Sequence, residues 1–317
     1  MLRDSGRYAQ KVNGTEGLVG RRVLVTGASG LIGSRLCGRL MQVGAEVYAL
    51  ARNPSSRSNG LSWVAADLSD LESARAGFAE TRPDIVLHLA SHVVGGRGLE
   101  LVHSTLRHNL ISAVNVMTAA VEQRIGRVVL AGSMEEPPIE AAGGTPASPY
   151  AAAKWAATRY ALMFHALYEL SVVSLRIFMV YGPGQEEPRL VPHVIRSLLR
   201  GEPPRLTSGT RPIDWVYIDD VVEAFLVASV ADGVEGTSLD VGSGHPITIR
   251  DLVETLRQMI GTEVQPDFGA VPDRPLETAN TADVGRTTAL LGWRPRTTLD
   301  EGLLRTIEWC RAADVEN

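Results

Sequence analysis

Apolar residues fall along the chain in two alternating periods. Residues 22–26, Arg-Val-Leu-Val-Thr, form a compact β-type run that breaks at Gly27, Gly30 and Gly33. Beyond it Leu31, Ile32, Leu36, Cys37, Leu40 and Met41 share one helical face, and Gly44 stands where a left-handed residue would end that helix. The alternation then repeats. Residues 46–50, 62–65, 84–90, 127–131 and 172–178 read as strands, and 71–80 and 99–123 as helices. Another helix opens at Ser148-Pro149, serine as N-cap and proline at the first helical position. Unbroken apolar strands alternating with helices predict an α/β fold: a doubly wound parallel sheet, covered on both faces, with ligands at the carboxyl ends of its strands. Later, 192–200 reads as a helix, 215–218 as a strand and 220–230 as a helix. From about Thr237 short strands and helices alternate and are expected to lid the ligand end.

Composition narrows the class. At 317 residues and 44% hydrophobic, the chain can bury one large or two modest cores. A net charge of −5, with basic residues scattered, points away from nucleic acid and anionic membranes. No apolar run approaches the ~20 residues of a membrane span. Residues 1–20 are polar and lack a secretion signal's apolar centre, which predicts a mobile extension and a cytoplasmic protein. Cys37 and Cys310 fit reduced thiols.

The glycine spacing after a buried strand is a dinucleotide signature. It lets the backbone turn tightly and brings a pyrophosphate to a helix N-terminus, where free N–H groups and the dipole favour anions. Tyr150 and Lys154, at i and i+4, share a helix face. A phenol beside a cation is a proton-transfer pair, and Ser133, just past the fifth strand, lies at the same sheet edge. His88, His92 and His103 make no convincing metal set, so no metal is expected.

These residues resemble the extended short-chain dehydrogenases/reductases that act on nucleotide sugars. The resemblance rests on Thr26-Gly27-x-x-Gly30-x-x-Gly33, Asp67-Leu68, His88-Leu89-Ala90, Asn109, Ser133, Tyr150-x-x-x-Lys154, Tyr181-Gly182-Pro183-Gly184, Asp219-Asp220 and Leu291-Gly292-Trp293-x-Pro295. It implies a Rossmann-type NAD(P)-binding domain over 21–178, with segments near 212–242 returning to it. Residues 179–211 and 243–317 would form a smaller C-terminal substrate-binding portion. By resemblance Tyr150 is the acid/base, Lys154 holds the nicotinamide ribose and lowers the tyrosine's pKa, and Ser133 hydrogen-bonds the reacting sugar oxygen. The expected cofactor contacts are Gly27, Ser29, Gly30, Leu31, Ile32 and Gly33 in the first turn, and Arg52 after the second strand. Asp67 and Leu68 would bracket the adenine. Leu89, Ala90, Ser91 and Asn109 complete the set, with Tyr150 and Lys154. A homodimer through 99–123 and 150–170 is implied as well.

Departures from the pattern bear on the reaction. Members that perform 4,6-dehydration carry Thr-Asp-Glu where this chain has Ser133-Met134-Glu135, and methionine cannot protonate a leaving hydroxyl, so dehydration requires Glu135 or Glu136 as substitute. Ala51-Arg52-Asn53, with Ser55, Ser56 and Arg57, replaces the acidic residue of NAD-specific members. An arginine and hydroxyls suit a ribose 2′-phosphate, which favours NADP(H) over the alternative NAD(H). On the substrate side, Arg274 resembles the arginine that clamps a nucleotide diphosphate, Ile213 replaces another such arginine with Arg211 near enough to serve, and Met179 replaces an asparagine. Met134, Glu135, Met179, Arg211 and Arg274 are therefore the expected substrate contacts. Trp215 and Trp293 read as core packing. The leading expectation is an NADPH-dependent ketoreductase acting on a nucleotide-activated deoxysugar. The alternative is an epimerase that keeps its cofactor; a 4,6-dehydratase and a non-catalytic NADP-binding sensor rank below.

Overall fold

The computed structural model describes residues 15–54, 60–137, 144–274, 276 and 279–315. The expectations for Ser55, Ser56 and Arg57, and for a mobile stretch over 1–14, lie outside these residues. Seven parallel strands form the central sheet, in the order β11-β6-β5-β4-β1-β2-β3. They are β1 (Arg22–Thr26), β2 (Glu46–Ala51), β3 (Ser62–Ala65), β4 (Ile85–His88), β5 (Arg127–Ser133), β6 (Val172–Ile177) and β11 (Thr237–Val241). The order reverses between β1 and β4, which opens a crevice at their carboxyl ends. The central strands β4, β5 and β6 are nearly wholly buried because helices cover both faces, whereas edge strand β3 is partly exposed.

On one face α2 (Leu71–Thr81), α4 (Ser112–Glu122) and α5 (Pro149–Tyr168) pack over Leu24, Val86, Val128 and Val172. On the other, α1 (Leu31–Gln42) and α7 (Ile218–Val230) join a cluster that continues without a break into the later chain. Ile195 of α6 (Leu190–Leu199), Leu252 of α8 (Ile249–Ile260) and Leu303 of α10 (Leu299–Val315) belong to this same cluster. Leu18 is fully buried in it too, within a short 3₁₀ turn, Thr15–Leu18. The last residues of the expected N-terminal extension are thus packed rather than free. Edge strand β11 comes from the stretch expected to be lid, its register Thr237 on Val173 to Val241 on Ile177.

The helix expected over 99–123 is three pieces: α3 (Leu101–Thr105), a π-helical turn Leu106–Ile111, and α4. Beyond β6, β7 (Met179–Tyr181) pairs in parallel with β10 (Trp215–Tyr217), carrying the chain over the crevice. Asp214, fully buried, fixes that crossing. Its Oδ1 accepts from the Ser243 N–H and hydroxyl, each at 2.6 Å, and its Oδ2 from Gly244 N–H and Ala282 N–H, each at 3.0 Å. One carboxylate thereby ties β10 to the loop after β11 and to the approach to α9 (Val284–Leu291). Among the described residues no helix is long and apolar enough to cross a membrane. Asp214→Ala would strand four donors, one buried and three partly buried, at a cost of about 3 kcal/mol. Thermal melting should show Tm lowered by roughly 5–10 °C, whereas an unchanged Tm would remove Asp214 from this role.

Candidate active site

Three polar side chains converge where β5 ends. Ser148 caps α5, its hydroxyl accepting from Ala151 N–H at 3.0 Å, so Tyr150 falls in the first turn and Lys154 lies one turn further on the same face. Both are buried, 8% and 5% exposed, and so is Ser133. The Ser133 side chain is near enough to the Tyr150 phenol to act on its titration, and Glu135 N–H donates to Ser133 Oγ at 3.2 Å. Lys154 Nζ donates to the Ala131 carbonyl at 2.8 Å.

Burial pushes Tyr150 up to about 12; Ser133 opposes the rise, Glu135 and Glu136 reinforce it and Arg189 opposes it, so in the free protein Tyr150 holds its proton at neutral pH. Burial also pushes Lys154 down to about 8, against the pull of Glu136. His88 lies fully enclosed with Nδ1 2.8 Å from Thr26 Oγ1, and burial, then Lys154, drives it down to about 3. It is therefore neutral, and among the described residues no group of three His, Cys, Asp or Glu could hold a metal.

Two cavities meet over the turn between β1 and α1, both lined by Gly27, Ser29 and Ser91. The larger is about 1030 Å³ and the smaller about 560 Å³. Gly27 has φ +73°, and a Cβ there would lie 2.7 Å from Ala90 N; a Cβ on Gly33 would lie 2.1 Å from the Gly27 carbonyl oxygen. Both positions therefore require glycine. Gly30 heads α1 with no side-chain cap, which leaves first-turn N–H groups facing the larger cavity. These features fit a dinucleotide: pyrophosphate over the α1 N-terminus, the reacting ring toward Tyr150 and Lys154, the adenosine in the smaller cavity.

Most expected contacts reach this groove. Leu31, Ile32 and Leu89 line the larger cavity beside the glycines, as do Ser133, Tyr150 and Lys154, and Met134, Glu135 and Met179 line its outer part. Arg52, Asp67, Leu68 and Ala90 line the smaller one. Asp67 is lowered by two hydrogen bonds from Ser69, then by Arg107 and Arg52. Asn109 is a correction. It is 2% exposed in the π-turn and lines neither cavity; Oδ1 accepts from His92 N–H at 2.6 Å and Ser91 Oγ at 3.1 Å, and Nδ2 donates to the His92 carbonyl at 3.1 Å. It holds the β4 loop in shape and touches no ligand space. Arg211 and Arg274 also lie outside both linings; the Arg274 guanidinium sits where a Cβ on Gly95 would come within 2.6 Å. Ile213 is core, 1% exposed.

The sequence reading missed Arg189, which lines the larger cavity and acts on Tyr150, because nothing local marks it. Trp215, read as packing, also faces this cavity, and among the described residues its indole Nε1 has no hydrogen-bond partner. Its neighbour Asp214 was a usable signal, since that pairing fixes the crossing strand beneath the ring.

Residues 23–242 match the NAD dependent epimerase/dehydratase family. A UDP-glucose 4-epimerase of Mycolicibacterium smegmatis is 31% identical over 311 residues, covering 92% of this chain and 98% of the relative. A probable dTDP-glucose 4,6-dehydratase of Sinorhizobium fredii is 28% identical over 328 residues, covering 91% of this chain and 92% of the relative. Among solved structures, MoeE5 in complex with UDP-glucose and NAD superposes with a TM-score of 0.81 at 33% identity, covering 92% of this chain and 99% of that one. The chain belongs to the NAD dependent epimerase/dehydratase family.

The Gly33 contact is directly testable. Gly33→Ala should push α1 off the Gly27 turn and weaken dinucleotide binding by at least about tenfold, or 1.4 kcal/mol. Calorimetric titration with NAD and NADP measures it, and parent-like affinity for both would refute the placement.

Proposed function

We propose that this protein is a nucleotide-sugar 4-epimerase that retains NAD and acts on a UDP-hexose. The observation that carries the reading is that Tyr150 and Ser133 open together on the larger cavity beside apolar Met134, where dehydration would need a second acid. Of the carboxylates that could substitute, Glu136 is turned inward, its oxygens taken by Ser133 N–H and Thr158 Oγ1. Glu135 reaches the cavity, but its Oε2 accepts from Ser148 Oγ at 3.1 Å. Glu135 is also the leading charge acting on Tyr150, which favours an uncharged hexose over a hexuronate. The printed activity of the Mycolicibacterium relative and the UDP-glucose bound by MoeE5 support the same substrate class.

In this mechanism a nicotinamide dinucleotide, held by the Gly27–Gly33 turn with its reactive ring toward Tyr150 and Lys154, would supply the hydride acceptance and return that inverts the sugar carbon. Tyr150 takes and gives back the hydroxyl proton, and Ser133 orients the oxygen that loses it. Lys154, cationic below about pH 8, holds the ribose edge and keeps a positive charge beneath the site. Because burial holds Tyr150 protonated in the free protein, its work as a base depends on positive charge arriving with the ligands.

A second reading, an NADPH-dependent ketoreductase, is favoured by one observation: Arg52, rather than a carboxylate, lines the smaller cavity after β2. Retention separates the two. The epimerase should keep NAD through gel filtration and convert UDP-glucose to UDP-galactose with no net change at 340 nm; stoichiometric NADPH consumption on a keto-sugar nucleotide would replace that reading with the second. Tyr150→Phe should lower kcat by about 100-fold or more while NAD still binds. We extend the proposal to a homodimer through α3, the π-turn, α4 and α5, a stretch on which Val102 of α3, Leu106 and Ile111 of the π-turn, and Tyr160 and Leu167 of α5 are exposed. Light scattering should give twice 34.1 kDa, and a monomer at micromolar concentration would rule it out.

A further inference from the structure

Glu136 lies directly behind the site yet lines neither cavity, and it is 2% exposed. Its Oε1 accepts from Ser133 N–H at 2.6 Å and its Oε2 from Thr158 Oγ1 at 2.7 Å, and Thr158 Oγ1 lies 3.3 Å from Ser174 Oγ. Glu136 N–H returns a bond to the Ser133 carbonyl at 3.0 Å, so residues 133 and 136 are locked to each other twice. The chain makes room for this carboxylate: a Cβ on Gly132 would lie 2.8 Å from Glu136 Oε1 and 3.1 Å from Ser174 Oγ. Polar groups from β5, β6 and α5 thus enclose a carboxylate that touches no ligand space.

A buried carboxylate survives only with donors and counter-charge. The donors are Ser133 and Thr158, and the cations that act on it are Lys154, from α5, and Arg176, from β6. Arg176 is already committed to Asp240, Nε to Oδ1 at 2.9 Å. Among the described residues Lys154 has no such ion-paired carboxylate: its hydrogen bond goes to the neutral Ala131 carbonyl, Thr158, which holds Glu136, lies one turn on along the same face of α5, and His88, the other titratable group facing it, is uncharged. We propose that Glu136 is a positioning residue for the reaction, clamping Ser133 through its backbone N–H and supplying the buried counter-charge that keeps Lys154 an ammonium. The proposal deepens the epimerase reading, on which the roles of Ser133 and Lys154 rest, but its test does not depend on that reading.

The sequence supplies an unusual probe, since its only lysines are Lys11 and Lys154. In full-length protein labelled with ¹³C at lysine Cε, and assigned with Lys11→Arg, Lys154 gives a single titrating signal without substrate or cofactor. Its midpoint in the parent should fall near 8. Glu136→Gln keeps an acceptor for Ser133 N–H and a partner for Thr158 but removes the charge, and should lower the midpoint by about one unit or more. Glu136→Asp should restore part of the shift. NAD affinity, followed by tryptophan quenching against pH, should lose its alkaline limb at correspondingly lower pH. An unmoved Lys154 midpoint in Glu136→Gln would overturn the proposal, even if activity fell. Should that variant fail to fold, a stability cycle decides: Lys154→Met with Glu136→Leu, which removes both charges, should melt above Glu136→Leu alone, and a lower Tm for the pair would equally overturn it. Failure of UDP-hexose turnover with the Lys154 shift intact would count against the epimerase reading and leave the charge pairing standing.

Discussion

An ammonium held out of water is the constraint around which the site is arranged. Removing Lys154 from solvent costs several kcal/mol before any partner is considered, and that cost appears as a pKa drawn down to about 8. The surroundings follow from it. A carbonyl near the end of β5 accepts a hydrogen bond from it, the His88 imidazole is kept neutral, and the phenol one turn away lies in the same dry region and keeps its proton. A site built this way is silent by default: neither Tyr150 nor Lys154 is a base at neutral pH until bound ligand alters the field. The low dielectric that penalises the free charges also strengthens every interaction once the groove is filled.

What could be read from the chain is what local geometry dictates. Gly27 takes a positive φ and Gly33 packs on the Gly27 carbonyl six residues back, so the first turn was legible from spacing, although the Ala90 backbone that also crowds Gly27 was not. Ser148, Pro149, Tyr150 and Lys154 are likewise one local unit, a cap and a helix face. The failures have a common origin. The π-turn at Leu106–Ile111 shifts the helical phase without altering composition, so one apolar pattern read as one helix, and Asn109 was assigned to the cofactor when its amide is engaged by the β4 loop. Arg82 and Glu169 end α2 and α5 in the left-handed region, with no glycine to announce it.

Substrate-side residues were less legible because their positions depend on contacts far apart in sequence. Arg189 precedes α6, Trp215 rides on β10, and Trp309 comes from α10; they share a cavity only because Asp214 and the continuous apolar cluster bring those segments together. Arg211 and Arg274 suit phosphate by residue type, but residue type does not say where a loop carries its guanidinium, and neither lines the groove. Met134, Met179 and Ile213, read as departures from the family pattern, differ in where they lie. Ile213 is core, so that change was absorbed into packing, whereas Met134 and Met179 face the cavity and change its chemistry.

Cofactor choice and reaction type therefore lie in different physical regimes. Arg52, Arg107 and Asp67 at the smaller cavity are at least partly exposed, and Asp67 is already engaged by Ser69 and, 3.5 Å away, by Arg107. Charge effects there are screened by salt and solvent, and one side chain can change the balance between NAD and NADP without disturbing the fold. Ser133, Lys154 and Glu136 are buried together, where replacing one group leaves another unpaired. The arginine that favours a 2′-phosphate is therefore independent of the buried groups that favour epimerisation, and selection for either property need not carry the other with it.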